Sequence, residues 1–78
     1  MEEIIKDFYH RIIGYIKTDA QGNKEAFDYY RRFLGRYIKD DNVTKDFYNR
    51  IVARGDTTTA LIYEAENKNE MKRLKRSK

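Results

Sequence analysis

The sequence predicts an all-α protein, a compact bundle of three to four short helices with a basic, frayed C-terminal tail. Two observations favour this class. Apolar residues recur three and four positions apart along most of the chain, the spacing that places them on one face of a helix. Clusters of Gly, Asp and Asn interrupt that spacing at several points, where the chain is expected to reverse direction.

The two strongest apolar stripes lie in the first half of the chain. Between Ile4 and Ile16 the apolar residues follow the helical spacing, and they do so again between Ala26 and Ile38. Residues 17–23 contain a Gly and several other turn-forming residues. An antiparallel pair of helices joined by this loop is therefore expected.

The third and fourth predicted helices are shorter. A third apolar face runs from Val43 to Val52 and ends before Gly55, which suits the left-handed position after a helix. Asp56 can cap a fourth helix by accepting hydrogen bonds from its first amides. Residues 57–65 include β-branched side chains that equally favour a strand, but a lone strand has no partner in a helical chain, so a helix is preferred.

One segment is repeated within the chain. Residues 6–13 read Lys-Asp-Phe-Tyr-His-Arg-Ile-Ile, and residues 45–52 repeat them with small changes. The simplest interpretation is that two helix starts solve one packing problem alike, with an Asp near the positive end of the helix dipole and an aromatic pair towards the core. Duplication, or a symmetric surface for a partner, is the alternative.

The net charge of +4 is unevenly distributed. Residues 1–67 carry eleven basic and twelve acidic side chains, a net charge of −1, whereas residues 68–78 carry six basic and one acidic, a net charge of +5. A chain of 78 residues is enough for one domain with one core. We therefore predict a helical domain over residues 1–67 and a basic tail over residues 68–78 that continues the last helix.

Composition disfavours catalysis and metal binding. The chain has no cysteine for disulfides or thiolate sites, and its single histidine, His10, has no second ligand to complete a metal site. Adjacent carboxylates occur only at Glu2-Glu3 and Asp40-Asp41, where helix capping explains them. A chain this short hides only roughly 60% of its surface on folding, which leaves little room for a catalytic pocket. No catalytic site, metal or cofactor is predicted.

The cellular location is also predicted from what the sequence lacks. No stretch approaches the roughly 20 apolar residues that span a bilayer. The chain starts with acidic residues, where a secretion signal is basic. A cytoplasmic protein without membrane contact is expected.

The stretch over residues 27–37 combines tyrosine with arginine, which together supply stacking faces and hydrogen-bonding groups. Tyrosine and arginine are enriched at protein interfaces. On a helix, most of the cations in and just after this stretch would lie opposite the core. The candidate partner-binding residues are Tyr29, Arg31, Arg32, Arg36 and Lys39. A solvated helix face is the alternative explanation of the same pattern.

The basic tail is a candidate for phosphate contacts, which need charge and flexibility but no specific fold. The candidate nucleic-acid-binding residues are Lys68, Lys72, Arg73, Lys75, Arg76 and Lys78. Two other interpretations are equally open: the charge keeps a small protein soluble, or it docks on an acidic partner.

The sequence as a whole favours a small interaction protein without enzymatic activity. Eleven aromatic residues are too many for three short helices to bury, so some aromatic surface should remain available for a protein partner or a homodimer. A regulator or inhibitor, of the kind that phages and mobile elements encode against host proteins, fits this description best. The alternative is a nucleic-acid-binding protein that uses the tail and the stripe of Arg32, Arg36 and Lys39 for non-specific phosphate contacts.

Overall fold

The chain does not form a helical bundle. The computed structural model describes residues 1–76, with side chains as far as Lys68, and it contains a six-stranded antiparallel sheet followed by a helix. The strands are β1 (Glu2–Lys6), β2 (Ile12–Thr18), β3 (Lys24–Asp28), β4 (Phe33–Ile38), β5 (Val43–Asp46) and β6 (Ile51–Arg54), and the helix is α1 (Thr58–Arg76). The prediction of an all-α bundle of three to four helices is therefore wrong.

The sheet is a simple meander. Each strand pairs with the next one along the chain, so the spatial order is β1-β2-β3-β4-β5-β6. Short hairpin connections join the strands, and because the strands are antiparallel, successive turns lie at alternate ends of the sheet. The turns at residues 7–11, 28–32 and 46–50 share one end. The turns at residues 19–23 and 39–42 share the other.

The helix covers one face of the sheet and closes the core there. It packs across β2, β3 and β4. Its Ile62 is fully buried and belongs to the same core cluster as the buried residues Ile5, Ile16 and Ala26. Gly14 permits this close approach, because a Cβ atom there would lie 2.6 Å from Cγ2 of Ile62. We call the face of the sheet turned away from α1 the far face.

The start of α1 confirms one part of the sequence interpretation. Asp56 Oδ1 accepts hydrogen bonds from the amide (3.1 Å) and the hydroxyl (2.7 Å) of Thr58, and the residues that follow are helical. Asp56 also pairs with Lys24 of β3 at 2.6 Å, a hydrogen bond that raises the pKa of Lys24. Burial alone would raise the pKa of Asp56, but the hydrogen bonds from Lys24 and Thr58 lower it overall. The pair therefore ties the helix start to the sheet.

The apolar spacing that predicted helices arises from strands that begin with β-bulges. After each of the turns at residues 7–11, 28–32 and 46–50, the strand pairing skips one residue. The skipped residues are Ile13, Leu34 and Val52. Each bulge follows another large apolar residue, as Ile12 precedes Ile13, so two apolar residues stand side by side in the sequence. This doubling hides the alternation that identifies a strand and imitates the helical spacing.

The helix runs towards the end of the sheet that carries the turns at residues 7–11, 28–32 and 46–50. It starts beside Lys24, and further along the Tyr63 hydroxyl donates a hydrogen bond to the Lys6 carbonyl at 3.2 Å, next to the first turn. Residues 68–76 continue the helix. Within the described residues, no helix has the length and apolar content that crossing a bilayer requires.

Candidate binding surface

Three copies of one short motif form the turns at one end of the sheet. Each copy reads Asp, then Phe or Tyr, then Tyr, then a variable residue, then Arg, and the copies occupy residues 7–11, 28–32 and 46–50. Two apolar residues and a Gly or Ala follow each copy. We call these three turns the turn row. Neighbouring turns are two strands apart, which is roughly 9–10 Å at the usual strand spacing.

In the first turn, Asp7 organises the backbone. Its Oδ1 accepts hydrogen bonds from the amides of Tyr9 (2.8 Å) and Arg11 (2.9 Å), and its Oδ2 accepts one from Arg11 Nε (2.8 Å). The Asp7 amide donates to the Arg11 carbonyl at 2.9 Å, and the Asp7 carbonyl accepts from the His10 amide at 3.1 Å. The result is a three-residue hairpin loop held by the side chain of the residue that begins it.

The other two turns repeat this arrangement. Asp46 accepts hydrogen bonds from the amides of Tyr48 (2.9 Å) and Arg50 (3.0 Å) and from Arg50 Nε (3.1 Å). Asp28 accepts from the amide of Arg32 at 2.8 Å and from its Nε at 2.7 Å. The same five-residue motif therefore produces the same local structure three times.

The fourth position of each turn has a left-handed backbone. His10, Arg31 and Asn49 have φ angles of 64°, 64° and 65°. This conformation costs an ordinary L-residue about 1–2 kcal/mol, and the hydrogen bonds to the turn's Asp offset that cost. The repeated segments 6–13 and 45–52 are thus hairpin turns with parts of their strands, and the prediction that they start helices is wrong.

The two outer carboxylates of the turn row are held in the ionised form. In the third turn, the hydrogen bond from the Arg50 amide is the main cause that lowers the pKa of Asp46. In the first turn, partial burial would raise the pKa of Asp7, but hydrogen bonds from Arg11 and Tyr9 outweigh this effect and lower it. Each of these carboxylates therefore carries its negative charge at neutral pH beside its arginine.

The turn row is close to electrically neutral for this reason. It contains three Asp and four Arg residues, and each Asp pairs with the Arg at the fifth position of its own turn. The fourth arginine, Arg31, pairs with Glu2 at 2.8 Å and stacks on Tyr15, 4.0 Å from the ring centroid. The arginines of the row thus supply planar hydrogen-bonding groups without a large excess of positive charge.

The aromatic side chains at the second and third positions of the turns are exposed. Their exposed fractions are 90% for Phe8, 74% for Tyr9, 53% for Tyr29, 69% for Tyr30, 62% for Phe47 and 72% for Tyr48. Within each pair the rings meet edge to face, with centroids 5.6, 5.3 and 5.4 Å apart. The Arg at the fifth position lies near the Tyr ring, 5.5, 5.2 and 5.0 Å from its centroid. The row presents six rings in a repeated, fixed arrangement.

The opposite end of the sheet shows that the turn does not require these aromatic residues. Asp19 Oδ1 accepts hydrogen bonds from the amides of Gln21 and Asn23, both at 2.9 Å, and Gly22 has a left-handed φ of 88°. This is the arrangement of the turn row, built from Asp-Ala-Gln-Gly-Asn. We call the turns at residues 19–23 and 39–42 the plain turns. Aromatic residues are confined to the turns of the other end.

A groove of about 480 Å³ lies between α1 and the second and third turns of the row. Its apolar lining includes the bulged residues Leu34 and Val52 together with Leu61 of the helix. Its polar lining includes the Asp–Arg pairs of both turns and Lys68. Val52 is half exposed because α1 packs across β2–β4 and leaves this part of the sheet open. The groove therefore extends the aromatic surface towards the helix.

The structure separates the predicted partner-binding residues. Tyr29, Arg31 and Arg32 lie together in the second turn. Arg36 lies within β4, where it stacks on Phe33 of the far face at 5.1 Å. Lys39 begins a plain turn at the other end of the sheet and lies close to Gly22. The prediction that these cations share one helix face is wrong, because the segment is two strands and their turns.

The predicted tail residues are only partly described. Lys68 is exposed and lines the groove beside the turn row. Lys72, Arg73, Lys75 and Arg76 belong to α1, but their side chains lie outside the described part of the chain, as does the whole of Lys78.

Sequence reasoning missed most of the turn row. It did not single out the three aspartates, Arg11, Arg50 or five of the six aromatic residues, because the motif was interpreted as the start of a helix. The available signal was the third copy of the motif over residues 28–32, whose spacing from the other two fits strands joined by hairpins.

Comparisons with known proteins give no match: neither a family model, nor a curated protein, nor a solved structure resembles the chain. Within the described residues, no group of three or more His, Asp or Glu side chains is placed to hold a metal ion. The functional proposal therefore depends on the geometry of the turn row.

Proposed function

We propose that this chain is a binding module without enzymatic activity, which docks on a protein partner through the turn row and acts as a small regulator or inhibitor. One observation carries the proposal. Six aromatic side chains are exposed in the turn row, although the plain turn at residues 19–23 has the same Asp-centred hydrogen bonds without any aromatic residue. Exposed aromatic surface is unfavourable in water, and its repetition at one end of the sheet indicates a partner that covers it.

The chemistry of the row suits a protein surface. Tyrosine and arginine are enriched among the residues that dominate protein–protein binding energy. The hydrogen bonds to each Asp fix the turns in advance, so little conformational entropy is lost when a partner binds. The aromatic tips can reach a complementary surface while the groove with Leu34, Val52 and Leu61 receives an apolar side chain.

A nucleic acid is the second candidate partner, because Lys68 stands beside the row and the sequence after it is basic. Bases can stack on exposed aromatic rings, as in single-strand-binding proteins. The pairing of every Asp in the row with its own Arg argues against this candidate, since those guanidinium groups are already partly neutralised. Phosphate binding needs an excess of positive charge.

The test compares two variants of the full chain. The row variant carries Tyr9→Ser, Tyr30→Ser and Tyr48→Ser, which removes one ring from each turn and keeps every Asp and Arg. The control variant carries Gln21→Ser and Asp41→Ser in the plain turns. Each protein is immobilised and exposed to cell lysate with and without nuclease, and the retained proteins are identified by mass spectrometry.

We expect the wild type and the control variant to retain the same protein after nuclease treatment, and the row variant to lose it. Each tyrosine substitution should lower the free energy of unfolding by less than about 1 kcal/mol, because a cation–π contact at an exposed site is worth about that or less. Denaturant unfolding checks this. Equal retention by the row variant would refute the proposal, and retention that disappears with nuclease would establish the nucleic-acid alternative.

A further inference from the structure

The far face of the sheet carries an apolar band across four strands. Ile4 of β1 pairs with Tyr15 of β2, Tyr15 pairs with Phe27 of β3, and Phe27 pairs with Phe33 of β4. Side chains alternate between the faces of a strand, and the neighbours of this band, such as Ile16, are buried on the helix side. Ile4 remains 52% exposed, so the band is incompletely covered.

A row of charges of alternating sign runs beside this band. Glu2 of β1 pairs in register with Lys17 of β2, Lys17 with Glu25 of β3, and Glu25 with Arg36 of β4. The charged groups of the two cations lie over rings of the band: Lys17 Nζ is 5.3 Å from the Phe27 ring centroid, and Arg36 Cζ is 5.1 Å from that of Phe33. From β1 to β4 the side chains at these register positions are therefore negative, positive, negative and positive. Glu2, at the edge of the row, also pairs with Arg31 of the second turn.

Charges at equal distances on either side of the line between β2 and β3 have opposite signs. A two-fold axis along that line, parallel to the strands, would place β1 of one copy over β4 of the other and β2 over β3. Each carboxylate would then face a cation: Glu2 would face Arg36 of the second copy, and Lys17 would face Glu25. The apolar band would face itself, with Tyr15 opposite Phe27.

We propose that the far face of β1–β4 binds a second copy of this chain, face to face, about the two-fold axis between β2 and β3. A two-fold interface requires one patch that is complementary to itself, and alternating charges with this antisymmetry meet the requirement. Two twisted sheets stack in this way in β-sandwiches, about 10 Å apart with their strands nearly aligned. The aromatic rings of the turn row lie at the end of the sheet, outside the proposed contact. Arg31 is the member of the row that borders the contact, because it pairs with Glu2 and stacks on Tyr15.

The experiment uses charge reversal in the full-length protein. The mass of each sample is measured by sedimentation equilibrium over a range of protein concentrations. The variants are Lys17→Glu, Glu25→Lys and the double exchange of both. The matched control is Lys45→Glu, because Lys45 stands in register beside Arg36 on the same face but lies on β5, outside the four strands of the proposed contact.

We expect the wild type and the Lys45→Glu control to dimerise with similar constants. Lys17→Glu and Glu25→Lys should each be monomeric at concentrations at which the wild type is dimeric, because each places like charges opposite one another at two symmetric positions. An equimolar mixture of these two variants should form a heterodimer, since every reversed charge then faces its opposite. The double exchange should dimerise as well.

Thermal unfolding of each variant shows whether it is folded. If one single variant fails to fold, the double exchange still tests the contact. A wild type that stays monomeric throughout would overturn the proposal. So would single variants that dimerise like the wild type, or a mixture and a double exchange that both remain monomeric.

Discussion

The two ends of the sheet contain the same type of turn but carry different side chains on it. In the turn row and in the plain turn at residues 19–23, an Asp side chain accepts hydrogen bonds from backbone amides of its own turn, and the fourth residue has a left-handed backbone. At the plain end, residues 19–23 place Ala and Gln at the positions that are Phe or Tyr in the turn row. The comparison shows that the aspartate forms the turn, whereas the aromatic and arginine side chains are additions to it.

The largest effect should come from removing a turn's aspartate. Asp28→Ala deletes the acceptor of both Arg32 hydrogen bonds, and the Asp28 side chain is only 4% exposed. We expect the free energy of unfolding to fall by about 2–3 kcal/mol, as for other buried charged hydrogen-bond partners. Urea unfolding measures this. Asp19→Ala, in a more exposed plain turn, should show a smaller loss, and equal losses would mean that burial does not distinguish the two ends.

Replacing the residue with the left-handed backbone should change the free energy of unfolding by a smaller amount. The change should have opposite signs at the two ends of the sheet. Gly22→Ala introduces a Cβ at a φ of 88° and crowds the Lys39 side chain, so we expect a loss of about 1–2 kcal/mol. His10→Gly relieves the same strain in the turn row but adds chain entropy to the unfolded state, so a gain of less than about 1 kcal/mol is expected. Urea unfolding of both variants provides the comparison. A loss for His10→Gly would show that the histidine side chain contributes to the turn.

The smallest expected effect is a change in the stability of the folded protein at acidic pH. The pKa values of Asp7 and Asp46 lie below their ordinary value of 3.8 in the folded protein. A lowered carboxyl pKa contributes stability that is complete above the unfolded value and is lost as the pH falls through the folded value. The urea midpoint should therefore decrease below about pH 4. The double variant Asp7→Asn and Asp46→Asn should show a flatter decrease, and an unchanged slope would contradict the assignment.

The sequence predicted part of this structure and misled on the rest. The role of Asp56 at the helix start could be predicted, because a side chain that accepts hydrogen bonds from the first amides is a local feature. The strands could not be recognised from apolar spacing alone. The doubled residues at Ile12-Ile13 and Phe33-Leu34 come from bulges, and a bulge depends on pairing with another strand.

The sequence pointed to the turn row only at its second turn, which lies within the tyrosine- and arginine-rich stretch over residues 27–37. Tyr29, Arg31 and Arg32 were singled out by composition and do lie in the turn row. Arg36 and Lys39 follow closely in sequence, but β4 carries them along the sheet and away from that turn. The distance between residues in a strand grows by about 3.3 Å per residue, more than twice the rise of a helix, so a helical interpretation brings together side chains that a strand separates.

The repetition of the turns makes the row trivalent. The sheet holds three equivalent sets of rings at a fixed spacing of roughly 9–10 Å. A partner that offers one complementary feature gains the energy of one contact. A partner that repeats the feature at the same interval binds the second and third turns at a high effective concentration, so its affinity rises steeply with the number of intact turns. Under the proposed function, removing the rings from one, two or three turns should therefore lower the affinity for such a partner in steps.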